Sequence, residues 1–261
     1  MRKKAKPVVL RTEEAIRRLE TIMPRLKENM ESALKIEATL EVGNEIVGRM
    51  TDREFPGASA YNIIKRSLTF DLALHLARLF DARPIKRPNR DTGKMVYVGR
   101  HPNRRDEASI PLLIRLLRQK RCQKILKDRA RNWNPVRDDW MSARFEADCA
   151  GAIDKAIAGY SKVFKGELGR SGLSALKEMR DTYIAHSSVK DRDRDIQYRH
   201  LFRLVDDARD IVEAASIAIV GHDLSLDRLE MDAREEAEEF WERALLGTSR
   251  EGDMPAEDAA Q

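Results

Sequence analysis

Arg180 and His186 stand six residues apart in the run RDTYIAHS. Together they supply side-chain types that suit proton transfer and phosphate binding, the chemistry by which RNA can be cut. A 2′-hydroxyl can attack the adjacent phosphate if a base takes its proton and an acid gives one to the leaving 5′-oxygen. Imidazole has an unperturbed pKa of ~6.5, so His186 can hold either post near neutrality. The guanidinium of Arg180 presents a fixed fork of donors matched to phosphate oxygens and can stabilise charge building on phosphorus. Asp181 can orient either group. Around a regular helix Arg180 and His186 lie ~120° apart, so they share a face only where the helix ends or distorts. Ser187, Ser188 and the charged run KDRDRD at 190–195 favour an ending there. His186 would then sit at the negative pole of the helix, which favours its protonated form. Arg180, Tyr183 and Ser187 do share a face, which also suits a phosphate. Spacing alone leaves a plainer alternative open, since an Arg and a His so placed can each make a structural hydrogen bond at a helix interface.

The charge distribution offers a second set of candidates. The net charge is +5, but residues 83–131 hold 16 Lys/Arg against 4 Asp/Glu, and residues 223–261 hold 13 acids against 4 bases. The strip RLLRQKRCQKILKDRAR (Arg115–Arg131) reads as one helix. Its Arg115, Arg118, Lys120, Arg121 and Lys124 would touch RNA phosphates without reading sequence. Arg100, Arg104 and Arg105 would extend the patch. A solvated face neutralised by the acidic tail accounts for the same residues, and both readings stay open. Trp133, Trp140 and Phe145 are expected in the core rather than as stacking platforms.

The elements that must position these residues are helical. Hydrophobic residues are 42%, charged residues 36% and aromatics 6%, with 13 Gly and 9 Pro, a balance that favours helices over sheet. Thr12 is placed to cap a first helix, with Ile22, Leu26, Met30, Leu34, Leu40, Ile46, Val47 and Met50 on its apolar side. Pro24 predicts a kink or a split, and Phe55-Pro56-Gly57 an end. Ala58–Asp81 predicts the clearest helix, buried through Tyr61, Ile64, Leu68, Leu72, Leu76, Leu79 and Phe80. Arg83–Asp106 holds three prolines, Asp91-Thr92-Gly93 and the run MVYV, and reads as a long loop with a small hairpin. Ser109 and Pro111 open the basic helix. Helices follow at Asp138–Lys165, Leu173–Ala185, Tyr198–Val220 and Leu229–Leu246. The third-last carries the Arg–His run, and the last is acidic with Phe240 and Trp241 in its stripe. The expected fold is therefore all-α. It is an antiparallel helical bundle over 8–221 with an inserted basic loop at 83–108, an acidic amphipathic helix at 222–247 and a disordered tail at 248–261.

Two segments carry a family resemblance. RDTYIAHS resembles the signature of the HEPN superfamily: Arg, a polar residue, then His after a short gap, followed by a small polar residue. SLTFDLALHLARLFD (Ser67–Asp81) resembles the second helix of HEPN proteins from type U abortive-infection systems. The likeness covers roughly Arg11–Val220. It implies a HEPN-type bundle that pairs into a homodimer, and, in active members, a metal-independent endoribonuclease in which one Arg–His motif from each subunit meets across a cleft. Such a protein would act on RNA as a toxin or phage-defence effector. The alternative is a non-catalytic module that binds nucleic acid or an antitoxin, of which a nucleotidyltransferase-like protein is one form. The acidic helix could dock on the chain's own basic block, on a second subunit or on the antitoxin. No cofactor and no metal are expected, because the five His residues (75, 101, 186, 200, 222) are scattered and Cys122 and Cys149 lack ligand spacing. Two cysteines, no leader-like apolar region and no run of ~20 apolar residues point to a reduced, cytoplasmic protein without a membrane segment.

Overall fold

Apolar residues every three or four positions hold one helix, α1 (Thr12–Arg49), together for 38 residues, about 57 Å at 1.5 Å per residue. The computed structural model that shows this describes residues 10–50, 57–80, 86–88, 95–97, 108–133, 138–165, 173, 176 and 198–247. Pro24 lies inside α1 and does not split it. Its ring costs one donor, but Ile22, Met23 and Leu26 on both sides are buried, and that packing holds the chain in register. Thr12 is the first helical residue rather than the cap; Arg11 takes the capping position, with no side-chain bond. The helix ends at Arg49, before the Phe-Pro-Gly run; Gly57, at φ +96°, instead introduces α2 (Ala58–Leu79).

Helix α2 packs on α1 through Tyr61, Leu72, Ala73, Leu76 and Leu79. Ile64, expected on this face, is exposed, and Leu68 is half-buried. Further along the chain β1 (Lys86–Pro88) and β2 (Met95–Tyr97) pair antiparallel, with Arg87 opposite Val96.

The basic strip is two helices, α3 (Ile110–Leu117) and α4 (Lys120–Ala130), not one. Leu117 and Cys122 are five positions apart, ~140° around a straight helix. An elbow at Arg118-Gln119 realigns the buried residues of α3 with Cys122, Leu126 and Ala130 of α4. Helix α5 (Asp139–Lys165) and helix α6 (Tyr198–Val220) run antiparallel: Cys149 lies against Ala218, and Lys162 against Asp207. Between them Leu173 and Leu176 are helical, and Leu176 is buried in the main core. That core joins α1 to α6. Trp140 lies outside it, 63% exposed, and Phe145 is half-buried against it.

The acidic helix α7 (Leu226–Trp241) starts three residues earlier than expected and ends in a π-helical turn, Glu242–Leu246. It lies along the C-terminal half of the chain's own α1, not over the basic strip. Trp241 is buried there with Val42, Ile46, Tyr61 and Ala237 in a second cluster, while Phe240 is exposed. No described helix is long and apolar enough to cross a membrane.

Candidate nucleic-acid interface

The cations of α3 and α4 divide into two groups by their partners. At the far end of α4, Arg129 pairs with Glu20 of α1 at 2.5 Å, and Arg131 with Glu146 of α5 at 2.6 Å. These charges are spent on holding helices together. Around the elbow the situation differs. Arg115, Lys120 and Lys124 are exposed and form no ion pair with a described residue. Arg121 donates from Nε and Nη2 to the Gln119 Oε1 at 3.0 and 2.6 Å, a neutral partner that leaves its charge intact. Arg118 donates from Nη2 to the Ser161 Oγ at 3.1 Å and stands 5.8 Å from the centre of the Tyr160 ring. Burial pushes the Tyr160 hydroxyl up to about 12, against the pull of Arg118, so the ring stays neutral. All five cations expected to meet phosphate thus fall within 115–124, on either side of the elbow.

That elbow is fixed to the last turns of α5. Residues 166–197 leave α5 after Lys165 and return at Tyr198 of α6. Because α5 and α6 are antiparallel neighbours, this segment begins and ends at the same end of the helix pair. Arg180, Asp181, Tyr183, His186 and Ser187 belong to it and lie outside the described residues.

A family model described as AbiU2, a HEPN domain, matches residues 16–240. The chain belongs to the AbiU2 family of HEPN domains. No curated protein and no solved structure matches it.

The AbiU2 match runs further than the resemblance read from sequence, which stopped near Val220. It takes in the basic loop, the segment carrying Arg180 and His186, and nearly all of α7. Thiol chemistry finds no support among the described residues of this HEPN domain. Burial raises the thiol of Cys149 to about 11 and pushes Cys122 the same way, so both stay protonated near neutrality. Two features were missed in the sequence. Trp140 is an exposed ring with the Arg144 guanidinium 5.8 Å from its centre. Its position, nine residues before the buried Cys149, places it ~180° away around α5, a signal that periodicity did contain. Tyr160 and Ser161 as partners of Arg118 had no such signal, because they lie 42 and 43 positions further along the chain.

Proposed function

We propose that this AbiU2 protein is a metal-independent endoribonuclease that acts as an abortive-infection effector, and that it works as a homodimer with one Arg180–His186 motif from each subunit facing a shared groove. The observation that carries this reading is the set of elbow cations that form no ion pair with a described residue, fixed to the last turns of α5. An RNA backbone drawn to Arg115, Lys120 and Lys124 comes to the end of α5 that the motif-bearing segment follows in sequence.

The chemistry follows from the residue types. One imidazole takes the proton of the 2′-hydroxyl, whose oxygen attacks phosphorus. The bond to the 5′-oxygen breaks, and the leaving oxygen receives a proton from the second imidazole. Arg180 holds the phosphate oxygens as charge gathers on them. The products are a 2′,3′-cyclic phosphate and a 5′-hydroxyl.

The test is direct. Wild type, Arg180→Ala and His186→Ala are incubated with total RNA in chelator, and the new ends are mapped. Cleavage by wild type alone, with cyclic phosphate termini, is expected. Equal cleavage by all three, or none by wild type while it still arrests growth on expression, overturns the nuclease and leaves a binding module.

A further inference from the structure

Two cation–aromatic pairs lie along α5, and their surroundings differ in sign. Near its start Arg144 stands over exposed Trp140. Asp138, Asp139 and Asp148 share that corner, and Arg144 also reaches Asp148 at 3.9 Å. A polyanion meets carboxylates there. Twenty residues on, ~30 Å along the axis, Arg118 stands over Tyr160. Here Lys120 and Lys162 lie within two residues of the pair along the chain, and Asp207 on α6 is taken by Lys162 at 3.5 Å. Arg118 forms no ion pair with a described carboxylate, and its Nη2 is tethered to Ser161 at 3.1 Å.

A guanidinium held in this way is more than a point charge. Its plane can stack on a nucleobase as it does on an aromatic ring. The Tyr160 ring stands beside it, 5.8 Å from ring centre to guanidinium carbon, and Ser161 fixes an edge, so little rotational freedom is lost when a base stacks on the plane. A base within a duplex already has neighbours on both faces. Only an unstacked base can use such a surface.

We propose that Arg118, held over Tyr160 and tethered by Ser161, is a stacking platform for an unpaired nucleobase and gives the elbow a preference for single-stranded over double-stranded RNA. The inference rests on the RNA-binding reading above and adds a specificity residue to it. Arg115, Lys120 and Lys124 contribute charge, which both forms of RNA feel alike. Arg118 contributes shape.

Full-length protein carrying His186→Ala, to prevent cleavage, is titrated into a short fluorescent RNA of mixed sequence, as a single strand and annealed to its complement, over a range of salt. Arg118→Lys keeps the charge and removes the plane. It is expected to weaken single-strand binding about tenfold, leave duplex binding unchanged and leave the salt slope unchanged. Tyr160→Leu should do the same and Tyr160→Phe should not. The double variant Lys120→Ala/Lys124→Ala should weaken both probes and flatten the salt slope. If Arg118→Lys and Tyr160→Leu keep the single-strand preference, or if the parent has none, the platform is overturned while the basic surface stands. If the double lysine variant changes neither affinity nor slope, the RNA-binding reading itself fails.

Discussion

Trp241 fills the notch that Gly43 leaves on α1. A Cβ at position 43 would stand 2.9 Å from the indole Cε2 and Nε1, closer than carbon atoms tolerate. The same Nε1–H donates to the Thr39 carbonyl at 2.8 Å, and Tyr61 meets the indole edge-on at 5.3 Å between ring centres. Arg234, two turns earlier on α7, reaches Glu41 at 3.2 Å and Glu45 at 2.5 Å. The acidic helix is therefore built into the fold through α1 and α2.

Gly43→Ala tests this seat. At an open site in a helix the change would stabilise by about 0.5–1 kcal/mol. Here the methyl group must displace the indole, and overpacking of that kind costs about 1–3 kcal/mol. A melting temperature several degrees below wild type is expected. Trp241→Ala should cost more, about 3–5 kcal/mol, and removal of residues 225–261 should lower helical circular dichroism beyond the share of α7 itself. A Gly43→Ala protein as stable as wild type would show that the indole rests elsewhere.

Glu37 makes stability depend on pH in an unusual direction. Its side chain, only 8% exposed between α1, α6 and α7, is pushed up to about 9, first by burial and then by Glu41, Asp206 and Glu230, with Arg209 opposing. The folded protein thus holds a proton that the unfolded chain releases near pH 4.5. Stability falls as pH rises from that value to about 9, each unit being worth at most about 1.4 kcal/mol. Glu37→Gln keeps a neutral side chain of the same shape. It should melt higher than wild type at pH 8, and the gap should close toward pH 5. Parallel curves for the two proteins would place a charged carboxylate at position 37.

Much of this architecture was legible because buried positions recur at helical spacing. Leu201, Leu204, Val205, Ala208, Ile211, Val212 and Ile219 all read as core and are core. The elbow was harder. No Gly or Pro marks Arg118-Gln119, and only the phase change between Leu117 and Cys122 betrays it. The division of the basic strip was not legible at all. Glu20 is 109 positions from Arg129, and nothing local says that Arg129 is paired while Lys124 forms no ion pair with a described residue. Arg180 and His186 suggest chemistry by residue type alone, and both lie outside the described residues.

Pro24 is exposed within α1, so its cost is separable from packing. Replacing it restores the donor that the helix lacks at that turn. Pro24→Ala should stabilise the protein by about 1–3 kcal/mol, reduced by the greater freedom of the unfolded chain. Denaturant midpoints for the two proteins check this, with the slope of the transition expected to stay the same. A lower midpoint for the alanine variant would mean that the ring makes contacts which its exposure does not suggest.

The division of cations between elbow and helix end predicts which substitutions RNA will notice. Removing one cation that neutralises a phosphate of a bound single strand should lower the slope of log affinity against log salt by about 0.7. Lys120→Ala, Lys124→Ala and Arg115→Ala should each show a drop of that size in RNA titrations. Arg129→Ala and Arg131→Ala remove as much formal charge but take it from pairs with Glu20 and Glu146. Each of these two substitutions frees a carboxylate on the same surface and should leave the salt slope unchanged. If all five variants lowered the slope equally, RNA would be sensing total charge, and the elbow would hold no special place in binding.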